Sequence, residues 1–112
     1  MPRVDNLFFG GITLGGRTYS KDVIIFSSGE VVEKERNHLV DKKTIQDVLL
    51  REPELIIIGT GHSGLAKVDP KIELVTKIEG VEVVVKTTKE AVDLYNKLYA
   101  KKKVAAVLHT TC

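Results

Sequence analysis

The segment Gly59–Gly64 has the sequence Gly-Thr-Gly-His-Ser-Gly and contains three glycines. It is the part of this 112-residue chain that most strongly suggests ligand binding. Glycine lets backbone N–H groups approach a ligand closely, and such groups bind anions. The spacing G-x-G-x-x-G is met literally, but the Gly-Lys-Ser/Thr ending of a P-loop is absent. The acidic residue expected about 20 residues further on in a dinucleotide site is also absent. The alternative is a turn in which glycine supplies a positive φ.

A second candidate anion site is Lys86-Thr87-Thr88, directly before a predicted helix. A helix N-terminus with a lysine beside it can hold an anion. Threonines also cap helices routinely, so simple capping is the alternative interpretation.

Histidine and cysteine side chains offer acid–base, nucleophilic or metal-binding chemistry. We expect His62 and His109 to lie at the same edge of the molecule, while His38 belongs to a separate polar stretch. Their spacing shows no metal-ligand pattern. Cys112 beside His109 suggests a nucleophile, which would need a base held against it. Surface or hydrogen-bonded histidines are the alternative, so no catalytic residue, metal site or cofactor is predicted.

The elements that must position these residues change in character near residue 40. Before it, short β-prone runs separated by turn residues predict antiparallel strands, with Gly15-Gly16 as a hairpin turn. The predicted strands are Phe8–Leu14, Arg17–Tyr19, Asp22–Phe26 and Val31–Glu35.

After residue 40, helices and strands alternate. A helix begins at Thr44, with Asp47 completing a variant capping box, and stops before Pro53. The sequence then predicts a strand at 55–58, a helix at 70–78, a strand at 81–86, a helix at 88–101 and a strand at 104–109. Such crossovers produce parallel strands. We predict one α/β domain over residues 1–112, with a mixed β-sheet made of a parallel βαβαβ part and antiparallel N-terminal strands.

Parallel strands bring their carboxyl ends to one edge of a sheet, and ligands of open α/β sheets bind there. This edge should collect Gly59–Gly64, Lys86–Thr88 and His109–Cys112. If the loop binds an anion, its amides and the start of the helix at Thr88 should face a shared cavity.

Composition argues against several classes of protein. The net charge is only +2, from 17 basic and 15 acidic residues, whereas a nucleic-acid binder usually shows a basic stripe. The longest apolar run, Leu55–Ile58, is too short to span a bilayer, and no signal-peptide pattern is present. A single cysteine forms no internal disulfide. These features predict a cytoplasmic protein that contacts neither membrane nor nucleic acid.

Several motifs along the chain resemble an uncharacterised family. This Mth-type domain family includes the adipogenesis-associated Mth-domain protein and NADH:ubiquinone oxidoreductase complex assembly factor 3. The segments that carry the resemblance are Gly11–Thr13, Pro53–Gly61, Thr88 with Ala91, Tyr95-Asn96, Val104–Ala106 and His109–Cys112. The resemblance implies a compact α/β fold with a mixed sheet and no agreed activity. Its better-known animal members act through protein partners, one of them in respiratory complex I assembly.

The absence of a catalytic constellation and the resemblance together favour a non-enzymatic protein-interaction or assembly module with a protein partner. The alternative is a small-molecule or anion-binding protein, which could be an enzyme, that uses the glycine loop. For that alternative, loop position and family pattern together select Gly59, Thr60, Gly61, His62, Lys86, Thr88 and Asn96 as ligand-binding residues.

Overall fold

The computed structural model describes residues 1–112, which form ten strands and three helices. The strands are β1 (Val4–Phe8), β2 (Gly11–Leu14), β3 (Arg17–Tyr19), β4 (Asp22–Ile25), β5 (Val31–Lys34), β6 (Leu39–Val40), β7 (Leu55–Gly59), β8 (Lys67–Val68), β9 (Glu82–Lys86) and β10 (Val104–Leu108). The helices are α1 (Lys42–Leu49), α2 (Lys71–Glu79) and α3 (Thr88–Leu98). None of the helices has both the length and the apolar character needed to cross a bilayer.

The central sheet contains five strands in the order β5-β4-β10-β7-β9. β10 and β9 both pair with β7 in parallel, which confirms the predicted parallel part of a mixed sheet. β4 pairs with β10 and β5 in antiparallel fashion and supplies the predicted antiparallel extension. The remaining N-terminal strands form a separate antiparallel sheet, β1-β2-β3, joined through the predicted Gly15-Gly16 turn.

Both faces of the central sheet are covered, because β7 and β10 are apolar at every buried position and strand side chains alternate between faces. Leu55 and Ile57 of β7 pack in one core cluster with α3 and the three-stranded sheet. Ile56 and Ile58 pack in a second cluster with α1 and α2. The continuous apolar runs in the sequence therefore correspond to strands buried on two sides.

Two side chains of α3 hold the first residues of the chain. The Tyr95 hydroxyl donates a hydrogen bond to the Pro2 carbonyl oxygen at 2.6 Å. Burial raises the pKa of Tyr95 well above its usual value, so the phenol keeps the proton that it donates. The Asn96 amide accepts from the Val4 N–H at 3.0 Å and donates to the Val4 carbonyl oxygen at 2.9 Å. These contacts attach β1 to the helix.

Two sequence-based predictions of local structure are wrong. The predicted strand Phe8–Leu14 is interrupted by a turn at Phe9-Gly10, because β1 folds back on β2 there and Gly10 has a φ of 93°. Helix α1 begins at Lys42 rather than Thr44, since the Asp41 carboxylate caps it by accepting from the Thr44 N–H at 2.9 Å. Hydrogen bonding from the Thr44 side chain, and then from its backbone N–H, holds the pKa of Asp41 below its usual value.

Helix α2, at Lys71–Glu79, is shifted by one residue from the predicted 70–78. Helix α3 starts as predicted, with Thr87 and Glu90 forming the capping box, but it ends at Leu98 instead of 101. The short strands β6 and β8, two residues each, were not predicted, because such short runs carry no periodicity.

We expect Asn96→Ala to lower the free energy of unfolding by about 1–3 kcal/mol, because it leaves the backbone groups of buried Val4 without partners. Lys97→Ala, at an exposed position of the same helix, is the matched control and should change stability by less than about 0.5 kcal/mol. Urea unfolding of the three proteins measures both values. Equal stabilities would show that the amide does not hold β1.

Candidate functional site

The carboxyl ends of β7, β9 and β10 lie at one edge of the sheet, at Gly59, Lys86 and Leu108. The segments that follow these strands contact one another directly. The Gly61 carbonyl oxygen accepts a hydrogen bond from the Thr88 N–H, and the Gly59 carbonyl oxygen accepts one from the His109 N–H, each at 3.0 Å. The predicted edge therefore brings together the glycine loop, the start of α3 and the last residues of the chain.

The amides of the glycine loop bind carbonyl oxygens of this chain. His62 N–H donates to the Thr111 carbonyl oxygen at 2.7 Å, and the N–H groups of Ser63 and Leu65 both donate to the Cys112 oxygen at 3.1 Å. The loop thus forms the concave arrangement of donors expected of an anion site, but the C-terminal segment fills it.

Gly61 lies directly beneath that segment. Its φ is 105°, and a Cβ added to it would lie 2.1 Å from the Cys112 carbonyl carbon. Both the turn and the close approach to Cys112 therefore require glycine at this position.

The buried Thr88 side chain links the segment after β7 to the segment after β10. Its hydroxyl accepts from the Gly61 N–H at 2.7 Å and donates to the His109 carbonyl oxygen at 2.6 Å. Gly59 leaves room for it, since a Cβ there would lie 2.8 Å from the Thr88 Oγ1. Thr60 donates from its hydroxyl to the Lys86 carbonyl oxygen at 3.0 Å. These residues form a buried cluster that lines none of the surface cavities.

The other predicted ligand-binding residues lie on the surface. His62 and Asn96 line a polar groove of about 380 Å³ between β1 and α3, together with charged residues such as Lys89 and Asp93. Lys86 is exposed at the end of β9 and lines no cavity. The predicted ligand-binding residues therefore do not lie in one place: some form the internal cluster, two line the groove, and Lys86 lines neither. That these residues bind a ligand stays a prediction.

Asp22, a buried hydrogen-bond partner of His109, was not predicted from the sequence. Asp22 and His109 are each only 3% exposed, and the Asp22 Oδ2 lies 2.6 Å from the His109 Nδ1. The other carboxylate oxygen accepts from the Thr110 N–H at 2.8 Å and from its hydroxyl at 3.1 Å. A buried carboxylate is costly without such partners. The antiparallel register of β4 and β10 creates this contact, and the sequence signal is an aspartate at the head of an apolar strand.

The ring of His109 packs against the ring of His38, which was predicted to lie in a separate polar stretch. The rings of His38 and His109 are 5.3 Å apart and packed edge to face. One ring nitrogen of each histidine and the Cys112 sulfur all lie within 4.8 Å of one another. The Thr111 hydroxyl lies 3.1 Å from the His109 Nε2. The segment containing His38 thus reaches the same edge, although the sequence placed it apart.

Comparisons with known proteins agree on the fold and give no activity. A model of a family described as a protein of unknown function (DUF498/DUF598) matches residues 4–109. The conserved hypothetical protein PH1505 from Pyrococcus horikoshii OT3 has a similar structure, with 26% identity, a TM-score of 0.85 and coverage of 98% of this chain and 99% of that one. The structure described as MT938 matches with 26% identity, a TM-score of 0.83 and full coverage of both chains, 100% each. A Bordetella pertussis protein described as a Mth938-like domain shares the fold at 18% identity, with a TM-score of 0.74 and coverage of 97% of this chain and 85% of its own.

We expect Gly61→Ala to destabilise the protein by at least about 1 kcal/mol more than Gly80→Ala. Both glycines have a positive φ, but an added Cβ at Gly80 meets nothing within 4 Å, whereas at Gly61 it collides with Cys112. Chemical unfolding measures the difference, and hydrogen exchange should speed up at the Ser63 and Leu65 amides of the Gly61 variant alone. Equal losses of stability with unchanged exchange would contradict the close contact.

Proposed function

Since the chain belongs to the DUF498/DUF598 family, whose function is unknown, we propose a function from its own surface. It is a protein-interaction module that assembles through the open edge of β9, where a second copy adds its own β9. The family matches agree with the Mth-type resemblance of the sequence, whose better-known members act through protein partners. The observation that carries the proposal is the apolar, unpaired and self-complementary edge of this strand.

The backbone of β9 supports strand addition. β9 pairs only with β7 and ends the sheet. The Glu82 N–H donates to the Glu54 carbonyl oxygen, and the Lys86 carbonyl oxygen accepts from the Thr60 N–H. The backbone groups of Glu82, Val84 and Lys86 therefore point toward β7, because alternate residues of a strand bond the same neighbour. The N–H and C=O groups of Val83 and Val85 consequently point away from the sheet. An open edge of this kind is a template for another strand, and β9 contains neither proline nor a bulge that would block pairing.

The side chains beside this edge are apolar and partly exposed. Val81, Val83 and Val85 form one wall of a groove of about 590 Å³, and α2 forms the other. Val85 is 48% exposed. Strand addition would cover these valines and fill the groove with side chains of the incoming strand, so burial of apolar area would favour it.

The charges of β9 and the register in which it can pair favour a second copy of this chain as the partner that adds a strand to the β9 edge. Two β9 strands can pair in antiparallel fashion about a two-fold axis at Val84. Val83 of one copy, whose backbone N–H and C=O groups point away from its own sheet, then lies opposite Val85 of the other copy. In the same register Glu82 lies opposite Lys86 of the partner, and the two-fold axis creates this ion pair twice. Opposite charges across strands stabilise pairing by about 0.2–1 kcal/mol per pair. Such an interface is isologous, as in most dimers.

We expect the protein to dimerise and the charge reversals Glu82→Lys and Lys86→Glu each to weaken dimerisation by about tenfold or more, because each places like charges opposite one another twice. Sedimentation velocity over a concentration series measures the dissociation constant. Mixing the two variants should restore dimers, since opposite charges then face each other again at both ends of the paired strands. Both positions are exposed, so the fold should be retained.

Glu33→Lys is the matched control, because it makes the same change in charge at an exposed position of the opposite edge strand, β5. It should leave dimerisation unchanged. A monomer at all concentrations would refute the proposal. Equal weakening by all three substitutions, or no recovery on mixing, would also refute it by showing that pairing does not follow the β9 register.

A further inference from the structure

We propose that His38, His109 and Cys112 bind a divalent transition-metal ion of the zinc class, at a site distinct from the β9 edge. The three side chains come from the segment between β5 and β6, from the end of β10, and from the last residue described. Two imidazoles and a thiol are donors that Zn²⁺ prefers, whereas Mg²⁺ and Ca²⁺ prefer oxygen ligands.

The distances between donors are close to those of a coordinated ion. The two ring nitrogens and the sulfur lie within 4.8 Å of one another. Zn–N bonds of about 2.0–2.1 Å and a Zn–S bond of about 2.3 Å place tetrahedral donors about 3.5 Å apart. Closing this gap requires a shift of roughly 1 Å. His38 can supply that shift, because it is exposed and lies in a bend outside regular structure.

His109 is oriented as a metal ligand by its hydrogen bonds. Asp22 accepts from Nδ1, which fixes the ring and leaves Nε2 as the coordinating nitrogen. A carboxylate behind a metal-binding imidazole is the usual arrangement and raises the basicity of the ligand. The Thr111 hydroxyl now lies 3.1 Å from Nε2 and would rotate away when the ion takes its place.

The glycine loop holds Cys112 in position. A residue at the end of a described chain is often mobile, but the Cys112 oxygen accepts two N–H groups of the loop, from Ser63 and Leu65. Gly61 lies directly beneath it. The loop that looked like an anion site in the sequence therefore acts as a support for a metal ligand.

Three protein ligands leave one tetrahedral position open. Sites with three protein donors and a water molecule are typical of catalytic zinc, whereas structural zinc is usually closed by four. The fourth ligand here would be water or a small molecule. The rival interpretation, a thiol nucleophile at Cys112 with His109 as base and Asp22 as its partner, has no need of His38. This difference makes His38 the decisive residue.

The experiment uses Co²⁺ as a spectroscopic probe on the full chain after treatment with a chelator. We expect one Co²⁺ per chain, with a thiolate-to-cobalt charge-transfer band and displacement by Zn²⁺. Cys112→Ser should abolish the band, and His38→Ala should weaken Zn²⁺ binding by about 100-fold or more, since loss of an outer partner alone costs about 10–100-fold. Asp22→Asn, which removes such an outer partner, should weaken Zn²⁺ binding by about 10–100-fold.

His62→Ala is the matched control, since it removes the remaining histidine, whose ring packs on Phe9 and is not one of the three donors. It should bind Co²⁺ and Zn²⁺ like the unaltered protein. Circular dichroism establishes that each variant is folded, and His38→Ala changes only an exposed residue. Absence of the charge-transfer band in the unaltered protein, or unchanged Zn²⁺ affinity in His38→Ala, would overturn the proposal. Reactivity of Cys112 toward alkylating agents that depends on His109 but not on His38 would instead favour the nucleophile.

Discussion

Pairing of β10 with two neighbours is the interaction on which the rest of the structure depends. β10 lies in parallel beside β7 and antiparallel beside β4, so it joins the N-terminal and C-terminal halves of the chain. Its side chains alternate between the two core clusters, and all five residues are buried. The same strand carries His109–Cys112 to the carboxyl edge. Its position therefore sets both the packing of the core and the geometry of the candidate site.

The edge of the sheet is polar but fully satisfied. Asp22, Thr88, His109 and Thr110 are all buried, and every buried side-chain polar atom has a hydrogen-bond partner. A buried polar network whose members are all paired is rigid, because any displacement leaves a donor or acceptor unsatisfied. Such rigidity is what a preorganised ligand set requires, and it explains why the donors around His109 need only a small shift to receive an ion.

The two proposed functions use different parts of the molecule. β9 is an outer strand of the central sheet, whereas β4, which carries Asp22, is separated from it by β10 and β7. Strand addition depends on backbone groups and valines, while metal binding depends on imidazole and thiol donors. Either function can therefore be removed by substitutions that leave the other intact.

The sequence by itself determined the elements whose signals are local. Continuous apolar runs specified β7 and β10, the capping box specified the start of α3, and the alternation of strands and helices specified the parallel order. The turn within residues 8–14 and the cap at Asp41 were missed, because each depends on a choice between neighbouring residues that periodicity does not resolve. Pairing of Asp22 with His109 and of His38 with His109 joins residues far apart in the sequence, and no periodicity encodes such contacts. The glycine loop shows the same limit: its composition allowed either a ligand-binding loop or a turn, and only the folded chain decided that the carbonyl oxygens of Thr111 and Cys112 accept from its amides.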